Sequence, residues 1–197
     1  MATATEMTTS STDSGARADV APHVALWRNV NVSQRGHPST ADLLAAFAAA
    51  GAPDAVSVQS NGTIVFSARP ADVDAMLEDA AAALARDAGH ARELFAIPLD
   101  TLRPVVDEHG SALDAPRREL TLHGGGVLPP DAPALLEAEG RGHCTVIDAG
   151  PGWVVTLNHR DRQSNGTPVV EHVLGVPATS RSFATLARVC AVAAGDA

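Results

Sequence analysis

The sequence predicts an α+β protein in which helices cover one face of an antiparallel sheet. Three observations carry this prediction. Apolar runs bounded by polar loops alternate with segments of helical spacing, an Asn61-Gly62 pair joins two β-rich runs, and 45% of the 197 residues are hydrophobic. A chain of this length and apolar content can bury one medium core or two small ones.

The first two predicted elements are a strand and a helix. Val24 to Val32 begins as an apolar run and leads into a polar loop, which is typical of a buried strand. Ser39 or Thr40 then has the side chain of a helix N-cap. Apolar residues recur on one helical face over residues 43–48, and the pattern stops at Gly51-Ala52-Pro53.

A hairpin is predicted next, between Val56 and Phe66. Its two β-rich runs are joined by Asn61-Gly62, the dipeptide that best supplies the positive φ angles of a two-residue type I′ turn. We therefore expect strands two and three to be connected there.

A second helix and a fourth strand complete the first half. Apolar residues repeat at helical spacing from Val73 to Leu84 and stop at Gly89, and Leu94 to Ile97 is typical of a short strand. The order strand, helix, strand, strand, helix, strand is the split βαβ pattern of a ferredoxin-like sandwich. Residues 22–98 are therefore predicted to form one ferredoxin-like half.

Residues 99–197 repeat this order less clearly and are predicted to form a second, smaller α/β half with helices at its C-terminal end. The expected elements are a helical connector at Leu102–Glu108 that Pro104 starts or interrupts, strands at Glu119–His123, Cys144–Ile147 and Trp153–Leu157, and helices at Ala134–Glu139, Pro168–Leu174 and Ser182–Ala194.

The N-terminal segment, Met1 to about Ala21, is predicted to be a disordered tail. It is rich in Thr, Ser, Ala and Asp, and it lacks the apolar run of a signal peptide. No stretch approaches the roughly 18 apolar residues of a membrane helix. The two cysteines, Cys144 and Cys190, have neither disulfide nor zinc spacing. These features favour a cytoplasmic protein without a membrane partner.

The composition argues against nucleic-acid binding. The net charge is -9, which repels phosphate backbones, and only 3% of the residues are aromatic, which leaves few surfaces for base stacking.

Three segments of the chain resemble a known family. Residues 23–32, 59–66 and 174–183 are similar, in order and spacing, to the opening strand, the Gln-Ser hairpin and a late Leu-Gly-Val motif of the bacterial domain of unknown function 1697 family. The resemblance spans roughly residues 23–190 and implies a two-part ferredoxin-like architecture, but it implies no reaction. Asn29 replaces the usual Gly and Ser33-Gln34 replaces a Gly-Gly pair, which suggests that the fold is kept while a site is altered.

Polar residues are predicted to converge at one end of the first sheet. In the split βαβ arrangement strands one and two run parallel, so the end of strand one lies beside the turn after strand two. The N-terminus of the first helix adds free backbone N–H groups there. The predicted ligand-binding residues are Arg28, Asn31, Ser33, Gln59, Ser60 and Asn61, joined by Arg162 from a polar loop and Arg181 from the late motif.

Structural roles are the alternative for these residues. Arg28 could pair with a helix carboxylate such as Asp42, which we favour over ligand binding, and Asn31 could cap a turn. Arg181 is either the charge partner of the last helix or an anion ligand.

The sequence Gln-Ser-Asn-Gly-Thr occurs at residues 59–63 and again at 163–167. The first copy is the hairpin turn, whereas the second precedes Pro168, where Thr167 is expected to be the N-cap of a helix. We interpret the repeat as coincident turn chemistry because the two copies occupy different topological places.

No cofactor can be assigned from the sequence. The eight histidines lack metal-ligand spacing, and His123, His143 and His159 would converge only in a particular fold of the second half, so no metal site is predicted. Gly124-Gly125-Gly126 is followed by no Lys-Ser pair and is interpreted as a connector rather than a phosphate-binding loop.

Two functions remain after these exclusions. The first is a small-molecule-binding protein or an enzyme of unknown reaction, with a polar cleft between the halves for a small polar or anionic ligand. The alternative is a noncatalytic interaction protein that forms a homodimer through a sheet edge or an exposed sheet face.

Overall fold

The computed structural model describes residues 20–128 and 133–195. Most of the predicted tail, residues 1–19, lies outside these ranges, and Ala21 is the first residue of a strand rather than the end of the tail. The strands are β1 Ala21–Trp27, β2 Val56–Gln59, β3 Thr63–Ala68, β4 Leu94–Pro98, β5 Arg118–His123, β6 Cys144–Gly150, β7 Trp153–Asn158 and β8 Ala178–Ser182. The α-helices are α1 Thr40–Ala49, α2 Val73–Ala88, α3 Leu99–Gly110, α4 Pro133–Gly142, α5 Gly166–Leu174 and α6 Phe183–Ala194.

The strands form two four-stranded antiparallel sheets with the same topology. The first sheet has the order β2-β3-β1-β4 and the second has the order β6-β7-β5-β8. Each half follows the order strand, helix, strand, strand, helix, strand, so the predicted ferredoxin-like sandwich is confirmed for the first half and repeated in the second. Helix α3 connects the halves, and α6 follows the second half as α3 follows the first.

The helices of the first half begin and end as the sequence predicts. Ser39 is the N-cap of α1 and forms a reciprocal capping box with Asp42. Helix α2 ends at Gly89, which adopts the left-handed conformation with a φ of 72°. Local capping chemistry was sufficient to locate these ends.

The predicted strand from Val24 to Val32 is too long. Strand β1 ends at Trp27, and Asn29 reverses the backbone with a φ of 53°. The chain stays close to the sheet because the Val32 amide donates to the Ser60 carbonyl at 2.8 Å. The apolar pattern of the sequence therefore extends beyond the end of β1, because the residues that follow this strand pack against the hairpin turn.

The hairpin turn is longer than the predicted two-residue type I′ turn. Gln59 pairs with Thr63, so the three residues 60–62 form the loop. Only Gly62 has a positive φ, at 73°, whereas a type I′ turn needs two such residues. The extra residue is accommodated by a register shift between Ser57 and Gln59.

Three features of the second half differ from the prediction. Strand β8 was not predicted, because its sequence Ala-Thr-Ser-Arg-Ser is polar. Helix α5 begins at Gly166 after Asn165, so Thr167 is not its N-cap. Pro104 lies inside α3, where the neighbouring Leu102 and Val105 are buried in the core. Tertiary packing thus outweighs the helix-breaking tendency of this proline.

The two sheets share a central apolar cluster, which also includes one face of α3 and of α6. It contains residues of both halves: Val24, Leu26, Ile97, Leu99, Leu102, Val105, Val106, Leu120, Leu122, Trp153, Val155, Phe183, Leu186 and Val189. The opposite face of each sheet forms a separate cluster with its own helices, α1 and α2 in the first half and α4 and α5 in the second. Each sheet is thus covered on both faces.

Within the described parts of the chain, every helix is too short or too polar to cross a lipid bilayer.

Candidate functional site

Strands β1 and β2 end at the same end of the first sheet, on either side of β3, because both pair antiparallel with that strand. This arrangement places Arg28, Asn31 and Ser33 at the same end of the sheet as the hairpin turn. Strand β8 of the second half reaches this end as well, through the side chain of Arg181. The partners of Arg28 and Arg181 determine whether these side chains are available to bind a ligand.

Arg181 is buried at the contact between the halves, with 8% of the residue exposed. Its Nε and both Nη atoms donate only to uncharged oxygens. The acceptors are Thr63 Oγ1 at 3.0 Å, Thr179 Oγ1 at 3.1 Å, Ser180 O at 2.7 Å, Trp27 O at 2.9 Å and Asn61 O at 2.6 Å. These bonds account for all five N–H donors of a guanidinium.

Burial lowers the pKa of Arg181 to about 10, so the side chain remains charged at neutral pH. No carboxylate contributes to its hydrogen bonds; carbonyl and hydroxyl dipoles compensate for the lost hydration. Arg181 lies in β8, and its bonds run to the first half rather than to α6, so it is not the charge partner of the last helix.

Arg28 makes the reciprocal contact from the first half. Its Nη2 lies 2.8 Å from Glu171 Oε1 on α5, and its Nε donates to the Ala178 carbonyl at 3.1 Å. A third partner is Glu93, at 3.3 Å from Nη1. The favoured alternative, in which Arg28 pairs with a helix carboxylate, is confirmed, but the partner is Glu171 rather than Asp42, whose carboxylate caps α1.

The charges around Arg28 are unfavourable for an anion. Burial opposes the charge of this side chain, yet Glu171 and Glu93 together raise its pKa above the ordinary value. One guanidinium facing two carboxylates leaves a local excess of negative charge.

Arg28 of the first half bonds to the second half, and Arg181 of the second half bonds to the first. These two residues are here called the arginine clamp.

The other polar residues predicted at this end bond mainly to one another. Asn31 Oδ1 accepts from the Ser33 amide at 3.2 Å. Gln59 Oε1 accepts from Asn61 Nδ2 at 3.4 Å and from Thr185 Oγ1 on α6 at 3.1 Å. These bonds stabilise the loop and its contact with α6.

Ser33, Ser60 and Arg162 are the three exposed members of the predicted set. Ser60 lies in the hairpin turn, and its carbonyl accepts from Val32. Arg162 occupies the loop between β7 and α5 with a φ of 61°. Ligand binding by the predicted residues therefore stays a prediction.

A buried carboxylate, which the sequence did not single out, holds the start of α5. Glu119 is 5% exposed and accepts from Ser164 Oγ at 2.6 Å, from Asn158 Nδ2 at 3.2 Å and from the Gly166 amide at 2.6 Å. An anion at this end of a helix is favoured by the helix dipole. The second Gln-Ser-Asn-Gly-Thr copy thus binds Glu119, whereas the first forms the hairpin turn.

A second cluster that the sequence did not reveal contains His109 at the end of α3. His109 is 4% exposed, and its Nε2 lies 3.0 Å from Asp148 Oδ2 of β6. Arg118 Nη1 donates to His109 Nδ1 at 2.7 Å. Arg118 also lies 2.7 Å from Asp114 and holds the pKa of that carboxyl below its usual value.

This cluster is poorly suited to a metal ion. Glu108, His109 and Asp148 bring three potential ligand atoms within 4.8 Å of one another, as no other group does in the described residues. However, Arg118 can only donate, so its bond to Nδ1 leaves the ring proton of His109 on Nε2. That proton occupies the lone pair with which Nε2 would bind a metal.

A groove of about 610 Å³ runs beside this cluster, between α3 and the start of α6. Phe183 forms part of the groove wall and packs against the His109 ring, with ring centroids 5.6 Å apart. The complete lining is Val106, Asp107, Gly110, Ser111, Ala115, Pro116, Ser182, Phe183, Ala184 and Ala187. This volume falls within the range of small-molecule sites.

Comparisons with known proteins give a fold and a family. A conserved bacterial protein from Streptococcus pneumoniae has a solved structure similar to this chain, with a TM-score of 0.55 and 14% sequence identity. The similarity covers 87% of this chain and 99% of that protein, which supports a shared two-part fold and nothing further. A search of the curated proteins found no significant match.

The family comparison agrees with two of the three segments that carry the resemblance, since the third, residues 174–183, lies outside the matched residues. The family described as "Protein of unknown function (DUF1697)" matches residues 20–123, from β1 through β5. The matched region is more than half of the chain and includes Arg28, Asn31 and the hairpin turn. The chain therefore belongs to the DUF1697 family.

Proposed function

We propose that this protein binds a small polar molecule in the groove between α3 and α6. The volume of the groove, about 610 Å³, carries the proposal, because pockets that enclose small ligands have roughly 300–1,000 Å³. The groove also lies where the connector between the halves meets the C-terminal helix.

The groove lining has an apolar floor and a polar rim. Val106 and Phe183 are buried and supply the floor. Asp107 on α3 and Ser182 at the start of α6 supply the rim. The first amides of α6 have no acceptor within the helix, and Ser182 Oγ accepts only from Thr185. A ligand with an apolar body and a hydrogen-bond acceptor would suit this lining.

Binding is better supported than catalysis. His109 contacts the groove wall through Phe183, but both of its ring nitrogens are engaged, by Asp148 and Arg118. A general base needs a free nitrogen within hydrogen-bond distance of the reacting proton. Neither ring nitrogen of His109 is thus free to act as an acid or base in the groove.

The strand-end residues have less support as an anion site. The five donors of Arg181 are engaged within the chain, and Arg28 faces two carboxylates. An anionic ligand there would have to displace these partners.

Chemical-shift mapping with a library of amino acids, small carboxylic acids and nucleosides tests the proposal. We expect hits to perturb backbone amides in residues 106–116 and 182–187. Ala187→Phe should abolish the shifts, because Ala187 is exposed in the groove. Arg188→Phe is the matched control, an exposed position on α6 outside the lining. Hits that perturb residues 28–33 and 59–63 instead would transfer the site to the strand ends.

The alternative of a homo-oligomer has weaker support at the sheet edges. Of the four edge strands, β2, β4, β6 and β8, two contain a register shift: β2 between Ser57 and Gln59, and β6 between Val146 and Asp148. Bulges and charged residues on edge strands oppose pairing with another copy. A dimer in light scattering at micromolar concentration would favour this alternative.

A further inference from the structure

A second groove lies on the outer face of the second half, between α4 and α5. Its volume is about 310 Å³, at the lower end of the range for small-molecule sites. Ala138 and Val169 are each 3% exposed and form the floor. Arg141, Pro168 and His172 are exposed and form the walls. The groove therefore combines an apolar floor with basic side chains that a ligand can reach.

A glycine brings the two helices together at this groove. A Cβ built on Gly142, at the end of α4, would overlap the side chain of Val169 on α5. Only a residue without a side chain lets the helix end approach so closely. This approach sets Arg141 beside α5, where its Nη2 lies 3.2 Å from His172 Nε2. The two basic side chains of the groove are thus held next to each other.

Arg141 donates to an uncharged acceptor at the groove wall. A guanidinium can only donate, so its bond to His172 requires an unprotonated Nε2 and therefore a neutral ring. A carboxylate is the better partner, because it carries a full negative charge and its two oxygens match the fork of the guanidinium. A ligand carboxylate that takes the place of His172 would therefore bond more strongly to Arg141.

The carboxylate already near Arg141 belongs to an exposed pair. Glu137 Oε1 lies 3.1 Å from the same Nη2, and the two side chains are 71% and 63% exposed. Exposed pairs at this i,i+4 spacing are weak, since solvent screens them. Nε and Nη1 of Arg141 contact no acceptor within the described residues. The guanidinium is thus able to bind a ligand carboxylate in competition with Glu137.

We propose that the groove between α4 and α5 binds a small organic carboxylate, whose apolar body packs on Ala138 and Val169 and whose carboxylate bonds to Arg141. The guanidinium selects for the negative charge. The floor selects for the apolar body, since a fully hydrated anion such as inorganic phosphate has no apolar surface to bury there. The described linings of this groove and of the groove between α3 and α6 have no residue in common, so the two proposals are tested separately.

Three probes test this proposal by ¹H–¹⁵N chemical-shift mapping at low ionic strength: benzoate, benzamide and inorganic phosphate. Benzamide has nearly the shape of benzoate without its charge, whereas phosphate has the charge without the ring. We expect benzoate to perturb backbone amides in residues 138–142 and 169–173. It should bind about three to ten times more tightly than either of the other probes, the contribution of one hydrogen bond.

Three variants test the role of the guanidinium. Arg141→Gln should reduce the affinity for benzoate to that for benzamide. Arg86→Gln is the matched control, since Arg86 is 65% exposed and is also paired with a carboxylate, Asp87, but lies on α2 of the first half. Glu137→Gln should strengthen benzoate binding by up to about threefold, because it removes the competing carboxylate. All three positions are exposed, so the fold should be kept, and circular dichroism verifies this.

Three results would overturn the proposal. Absence of benzoate binding at millimolar concentration, or benzoate shifts confined to residues 106–116 and 182–187, would leave the groove between α4 and α5 without a ligand. Equal affinity for benzoate and benzamide, or an equal loss in Arg141→Gln and Arg86→Gln, would remove the role of the Arg141 guanidinium. Phosphate binding as tight as that of benzoate would show that the apolar floor selects nothing.

Discussion

Arg181 shows how a charge can be buried without an ion pair. Its guanidinium is satisfied by oxygens of residues 27, 61 and 63 in the first half and of residues 179 and 180 in its own strand. The planar fork of Arg reaches acceptors in several directions at once, which the ammonium of Lys cannot do. The identity of this residue should therefore matter more than its charge.

Replacing Arg181 by Lys is expected to lower the free energy of unfolding by about 3 kcal/mol, because several buried carbonyl and hydroxyl groups lose their donors while the charge remains buried. Urea denaturation measures this change. Arg28→Lys is the matched control, since Arg28 is 24% exposed in its side chain and its loss should cost about 1 kcal/mol or less. Equal effects of the two substitutions would contradict this account of the clamp.

His123 gives the protein a sensitivity to acid. Burial lowers the pKa of His123, and its Nδ1 accepts from the Gly125 amide at 3.3 Å. Below pH 6.5 the unfolded chain binds a proton that the folded chain excludes, so the free energy of unfolding falls as the pH falls.

His123→Asn should remove this acid sensitivity, since the Asn Oδ1 can accept from Gly125 without titrating. We expect the wild type to lose more stability than the variant between about pH 7.5 and about pH 5.5, the range around the ordinary histidine pKa. Urea denaturation at both pH values gives the comparison. An identical loss in both proteins would assign the acid sensitivity to other groups.

At the scale of elements, the hairpin depends on one glycine for two reasons. Gly62 has a positive φ of 73°, and a Cβ there would lie 2.8 Å from Trp27 Cβ and 3.0 Å from Val30 Cβ. The turn is thus pressed against the end of β1, which is why its carbonyls are available to Trp27 and Arg181.

Gly62→Ala is expected to destabilise the protein by about 3 kcal/mol, combining backbone strain with the overlap of Cβ. Gly36→Ala separates the two causes, because Gly36 has a φ of 84° with nothing within 4 Å of its Cβ position. That control should cost about 1 kcal/mol. Thermal and urea unfolding of both variants give the difference, and similar losses would mean that the overlap is relieved at little cost.

The sequence was most informative where local chemistry decides the structure. The caps of α1 and the glycine after α2 could be read from the chain, and so could the position of the hairpin. Strand β8 could not, because Arg181 is made suitable for burial by acceptors on the first half, and Thr179 in turn accepts from Arg181. The three-residue turn was missed because Asn-Gly favours a shorter turn unless packing adds a residue.

The same division holds for the candidate sites. The parallel arrangement of β1 and β2 follows from the order of elements, so the strand-end residues could be placed together in advance. Neither the contact of His109 with Asp148 nor the groove beside it could be predicted, since the two residues are 39 positions apart in the sequence and belong to different elements, α3 and β6. Contacts between distant elements have no local signal.

In the molecule as a whole, the repeated unit is one half, whereas the unit expected to fold is both halves together. Each half has its own sheet and helices, but Val24 and Leu26 share a cluster with Leu120 and Leu122. Separating the halves would expose this face to water, at a cost of roughly 25 cal/mol per Å² of apolar surface.

The two halves are therefore expected to unfold in a single transition. Each half contains one tryptophan, so Trp153→Phe reports on the first half through Trp27 and Trp27→Phe reports on the second through Trp153. Urea transitions of each variant, followed by fluorescence and by circular dichroism, should coincide within that variant. A fluorescence change that precedes the loss of secondary structure would indicate that one half unfolds first.

The arginine clamp also has a consequence for how such chains can diverge. Arg181 donates to oxygens that are more than 100 positions away in the sequence, at Trp27, Asn61 and Thr63. A mutation on one side leaves buried groups unpaired on the other, so a single change is selected against unless its counterpart follows. Among homologues, position 181 and the segment 61–63 are expected to be kept together or exchanged together, as one inherited unit.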